Sequence, residues 1–213
     1  MGDFAQYLPP LIRGAGLTLF LVVVSGAIGT LLGLLFGMAR ISPIPPVRWV
    51  AAVYVNFLRG QPALVILLFG YFAIPLLFPA LAFSRGFTAI AGLSIYASAY
   101  IAEIFRGSIE AIPRGQTEAS KALGMSYYHR FRYIILPQAM KIAVPPGIGF
   151  LISLVKASAL VSVIGFVELT RAGKIVSTIN QEPLFTFLVV AGIYFILSYP
   201  ISLLGRWYER RLA

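Results

Sequence analysis

One segment constrains this chain more than any other: Glu118 to Pro137 is polar in an otherwise oily sequence and lies between two apolar runs, each long enough to cross a bilayer. That placement makes it a large loop on one membrane face. Glu118 to Leu123 is rich in good helix formers, with Thr117 placed to start the helix and Gly124 to stop it in a left-handed conformation. A second short helix is expected from Ser126 towards Tyr133. It should end before Pro137, because the residue ahead of a proline resists the α region. The loop reads as a helix-Gly-helix finger directed away from lipid.

Composition bounds the rest. The 213 residues are 59% hydrophobic and 11% charged, against about 25% charged in a soluble domain, and the mean hydropathy is +0.89. The expected fold is an all-α integral membrane protein, a single domain over residues 1–213. Without cysteine there are no disulfides, thiolate nucleophiles or thiolate metal sites. A net charge of +10 would point to nucleic acid in a soluble protein, but in a membrane chain the positive-inside rule accounts for it. The single His129 lies in the polar loop, where a solvated side chain is expected rather than a ligand.

Five spans are expected, at about 15–39, 62–77, 87–105, 142–164 and 184–204, with residues 1 to about 14 a polar lead. The first carries Gly29, Gly33 and Gly37 at four-residue spacing with Ser25 one turn earlier, a face that lets a second helix approach closely. The second is preceded by an elbow from Trp49 and broken at Arg59-Gly60-Gln61-Pro62, with Arg59 placed near the cytoplasmic boundary because burying it in lipid is costly. The third holds Tyr100, and Glu103 and Arg106, three apart on one face, can pair. The fourth has Pro145 and Pro146 near its start and Lys156 near its middle. An ionisable residue there faces a cavity, water or a partner, or snorkels to an interface. Residues 165 to about 183 alternate apolar and polar at helical spacing, as in a helix lying at the outer interface.

Orientation follows from the basic residues. Only Arg13, Arg85, Arg171 and Lys174 fall in the outer segments, while Arg40, Arg48, Arg59, Arg106, Arg114, Lys121, Arg130, Arg132, Lys141 and the terminal Arg206, Arg210 and Arg211 fall on the loop side. The amino terminus is expected outside, and the loop over 107–141 and the carboxyl terminus in the cytoplasm.

The loop also has a recognisable spacing: Glu118-Ala119-Ser120, three residues, Gly124, nine residues, then Ile134-Ile135-Leu136-Pro137. This resembles the EAA loop of the permease subunits of bacterial ATP-binding-cassette (ABC) importers of type I, with Ser120 where a second alanine is common. Phe57-Leu58-Arg59-Gly60-Gln61-Pro62 is similar to the Phe-Phe-Arg-Gly-Thr-Pro element of the polar amino acid subgroup. Lys156-Ala157-Ser158-Ala159-Leu160 resembles that subgroup's Lys-Asp-Thr-Ser-Leu but lacks the acid.

The resemblance implies that Glu118, Ala119, Ser120, Leu123, Gly124 and Met125 form a coupling helix docking on an ATPase. It implies two ATPase subunits that bind ATP and Mg, since no Gly-x4-Gly-Lys-Ser/Thr stretch occurs here. It further implies a second permease copy or paralogue, an extracytoplasmic solute-binding protein, and a place in the bacterial inner membrane. Candidate substrate contacts are Asn56, Tyr100, Lys156, Ser158, Ser162 and Glu168. The competing readings are a stand-alone channel or ion-coupled carrier, which calls for more intramembrane charge, and an intramembrane enzyme, for which no histidine or carboxylate pair lies in a span.

Overall fold

Prolines and glycines set the breaks between helices. The computed structural model describes residues 4–212. A short 3-10 turn, Phe4–Tyr7, leads into α1, Leu8–Arg40, about 50 Å long. Pro9 and Pro10 occupy its first turn, where a missing N–H leaves no helical bond unmade. The helix therefore begins well before residue 15, and most of the expected polar lead belongs to it.

The next helix, α2 (Pro45–Arg59), also starts on prolines and ends at Gly60. After the break come α3 (Ala63–Leu68), a π turn (Phe69–Ala73) and α4 (Ile74–Leu77), which run on as one segment bent 102° from α2. This is the expected elbow and second span.

Ser84 accepts the Phe87 N–H at 3.2 Å and so caps α5, Arg85–Glu110. The loop helix α6 covers Arg114–Ala122. It starts straight after Pro113 rather than at Thr117, because proline pre-sets the extended residue ahead of a helix.

The second loop helix does not stop before Pro137. α7 (Tyr127–Arg130), a π turn (Phe131–Ile135) and α8 (Leu136–Ala157) form one helix, prolonged by a 3-10 turn at Ser158–Ser162. Both π turns end two residues before a proline, Pro75 and Pro137. The widened turn absorbs the missing N–H and relieves the ring's clash with the preceding turn. Pro145 and Pro146 consequently sit inside α8 and not near its start, and Lys156 falls in its last turn rather than its middle. The chain closes with α9 (Leu169–Asn180) and α10 (Pro183–Leu212). Among the described residues four helices are long and apolar enough to cross a membrane, and the bent pair makes a fifth.

The glycine face of α1 finds its partner in α5. A Cβ at Gly29 would lie 2.5 Å from Ala97 Cβ, one at Gly33 2.7 Å from Ile101 Cβ, and one at Gly37 2.9 Å from Phe105 Cδ1. The three pairs keep one offset, so α1 and α5 run parallel, and the α2–α4 segment between them carries the chain back. Leu21, Leu67, Leu93, Leu154 and Val155 fill the core these helices share with α8. At the other end, α9 packs against α1 and α10 through Leu11, Leu169, Ala172, Val176 and Val190. Thr18 Oγ1 accepts the Leu169 N–H across that contact at 3.2 Å.

Candidate functional site

The loop between α5 and α8 is closed by backbone chemistry. Past the end of α6, Gly124 N–H donates to Lys121 O at 2.9 Å and Met125 N–H to Ser120 O at 3.1 Å, with Gly124 at φ +71°. These paired bonds are a Schellman motif, which needs a residue free to adopt the left-handed region. Ser120 is buried, its Oγ donating to Thr117 O at 2.9 Å. Ser126 then caps α7, its Oγ also 2.8 Å from His129 Nδ1, so that the exposed His129 is held by a neighbour in the loop.

The loop stands on a small apolar base of Ile112, Ile135 and Ala139 with Ile109, Phe131 and Ile134. Gln138 spans its two arms, donating to Gln116 Oε1 and Ile134 O. On its outside, Glu118 and Ala119 are exposed and Leu123 is 80% exposed, beside Tyr127, Tyr128 and Tyr133. So much apolar and aromatic surface on a polar loop marks a surface built to be covered. The sequence pattern pointed to the first helix and missed the tyrosines. Their signal was their density just after Ser126 in a segment otherwise polar.

Near the base of this loop lies a charged cluster joining three helices. Glu103 on α5 accepts from Arg40, the last residue of α1, and from Arg106, and lies 3.5 Å from Arg59, the last residue of α2. Arg106 also pairs with Glu110, and the Arg59 guanidinium lies 5.8 Å from the Tyr100 ring centroid. The in-helix pair was expected; Arg40 and Arg59 were not assigned to it. The legible clue was that each ends an apolar run immediately before a breaker.

The six candidate substrate contacts fall at different places. Asn56 is exposed on α2. Tyr100 stacks on Phe150 at 5.2 Å and beside Tyr96 at 4.8 Å. Lys156 is exposed, in line with Ile142, Pro146, Gly149 and Ser153 along one stripe of α8. Ser158 is fully buried, its Oγ donating to Val155 O at 2.7 Å, and Ser162 O accepts from Arg171.

Glu168 is fully buried and caps α9. Its carboxylate accepts the N–H groups of Thr170 and Arg171 at 2.8 and 2.9 Å and the Tyr194 hydroxyl at 2.7 Å. Burial pushes its carboxyl above the usual glutamate range, and these hydrogen bonds oppose the shift. The structure thus leaves Asn56 and Lys156 exposed, and engages the side chains of Ser158 and Glu168 in local bonds.

Residues 29–213 match the family of inner membrane components of binding-protein-dependent transport systems, and the chain belongs to that family. It is 38% identical over 205 residues to a probable amino-acid ABC transporter permease, YckA of Bacillus subtilis, covering 96% of this chain and 90% of the relative. It is 39% identical over 206 residues to the glutamine transport system permease GlnP of Escherichia coli K12, covering 96% and 94%. A solved amino acid ABC transporter crystallised with histidines superposes at a TM-score of 0.92 with 36% identity, over 99% of both chains. The protein is an ABC importer permease.

Proposed function

We propose that the chain forms half of the translocation pathway of an ATP-driven importer for polar or charged amino acids. The pattern that supports this reading is the Schellman-closed loop, which presents Glu118, Ala119, Leu123 and Met125 with neighbouring tyrosines on a rigid base. Two ATPase subunits bind ATP and Mg and take the loop of each permease. A second copy or a paralogue supplies the other half of the pathway, and an extracytoplasmic solute-binding protein delivers the substrate. The chain lies in a bacterial inner membrane, its amino terminus outside and its carboxyl terminus in the cytoplasm. The gathering of Arg40, Arg48, Arg59, Arg106 and the loop at one end supports that orientation.

ATP binding favours the closed ATPase pair, and the loops carry that preference to the helices. Only contacts that differ between the inward- and outward-open states can shift their populations. On the exposed stripe of α8, Lys156 offers an ammonium to a substrate carboxylate, with Asn56, Tyr100 and Ser162 as further polar groups of the pathway.

The test is co-purification from mildly solubilised membranes. The native chain should retain an ATPase. Gly124→Ala, strained by about 1–2 kcal/mol in the left-handed region, and Glu118→Lys should lose it or uncouple it, whereas Gly124→Asn should keep it. A native chain that retains no ATPase would sink the importer reading and favour a stand-alone carrier.

A further inference from the structure

A cavity of about 680 Å³ lies along the seam between the α3–α4 segment and α5. Its lining reaches from Phe57 and Gln61 at the α2–α3 break to Phe83 and Phe87 near the start of α5. Beneath it the two segments meet closely, since a Cβ at Gly92 would fall 2.7 Å from Leu67 Cδ2. Between the ends its walls are almost wholly apolar, with Val65, Phe69 and Ile95 prominent.

One polar group in this lining has no partner. Thr88 is 4% exposed, and its Oγ1 makes no hydrogen bond. A threonine in a helix commonly bonds back to the carbonyl one turn earlier; here that carbonyl, Ser84 O, takes the Thr88 N–H at 3.0 Å. Water is a poor answer, because an apolar cavity offers it too few partners. One turn away, Arg85 is exposed. Its Nε donates to the Tyr71 hydroxyl at 3.3 Å, and no carboxylate among the described residues pairs with it.

We propose that this groove holds an acyl chain of a phospholipid, with the ester carbonyl accepting from the Thr88 hydroxyl and the phosphate lying against Arg85. Three residues of helix separate Arg85 from Thr88 by about 4.5 Å along the axis, comparable to the separation of phosphate and nearest ester in a glycerophospholipid. From Thr88 to Ile95 a further 10 Å or so of apolar wall follows the same face, which suits an extended hydrocarbon chain. A helix from a second copy would instead cover a guanidinium without supplying an anion and leave the hydroxyl unpaired. This inference needs only that the helices lie in a bilayer. It is independent of which solute is carried and of ATPase docking.

The test uses the full chain with its partner subunits, reconstituted in nanodiscs of diacyl phosphatidylglycerol mixed with its diether analogue, then washed with detergent. Phospholipid retained per chain is read by mass spectrometry. The native chain should retain the diacyl lipid and prefer it several-fold over the diether. Thr88→Val should abolish that preference, Arg85→Gln should reduce retention of both, and Ala91→Trp, which fills the groove, should remove the retained lipid. Phe195→Ala on the exposed face of α10 should change nothing. Retention that is unaffected by Ala91→Trp, or absent in the native chain, overturns the proposal. So does cross-linking of two chains through Val65→Cys, a clean experiment because the chain has no other cysteine, since it would place a second copy in the groove. If Ala91→Trp does not fold, the ester preference and its loss in Thr88→Val decide the matter.

Discussion

Glu103 is the residue on which most depends for its size. A carboxylate about one-fifth exposed is shared by guanidinia from the ends of α1 and α2 and from α5 itself. Removing it leaves positive charges facing one another near the loop. Glu103→Gln should lower stability by about 2–3 kcal/mol, somewhat below the usual cost of breaking a fully buried pair because water still reaches the cluster; thermal unfolding in detergent measures it. Glu168 works differently. Glu168→Ala removes a helix cap and strands the Tyr194 hydroxyl, for a loss of about 2–4 kcal/mol. Because burial raises the folded-state pKa of Glu168, its contribution is full below the free glutamate value near 4.3 and shrinks as pH rises through the raised value. Glu168→Gln should flatten that slope in a series of melting temperatures against pH; an unchanged slope would assign the pH dependence to another group.

At the scale of elements, the glycine stripe and the coupling loop were legible because their constraints are local. Four-residue spacing puts Gly29, Gly33 and Gly37 on one face, and a glycine after helix formers marks a left-handed stop. Which helix the stripe would meet was not legible, since only the folded structure brings Ala97, Ile101 and Phe105 against it. The continuity of α7 into α8 was missed for a related reason. The rule that proline ends a helix assumes a regular ladder, and a π turn ahead of Pro137 sidesteps it. Gly33→Ala should destabilise the protein by about 1–3 kcal/mol by overpacking against Ile101 and Ser98 O. Gly16→Ala, where a Cβ would meet nothing within 4 Å, should be neutral or mildly stabilising. Comparison of the two melting temperatures separates close packing from helix propensity.

For the whole molecule, the number of spans and the polar loop followed from hydropathy, whereas the Glu103 cluster, the α1–α5 seam and the lipid-sized groove depend on distant segments meeting. The parallel seam also bears on how the chain is made. The half of it on α1 is synthesised roughly 70 residues ahead of the half on α5, which at about 5–20 residues per second is a wait of several seconds or more. During that interval a glycine face suited to close helix contact stands in the bilayer without its mate. Two nascent copies brought together then could pair through α1 and exclude α5. Biogenesis therefore rewards either slow initiation or a membrane insertase that shields the first helix until the third span arrives.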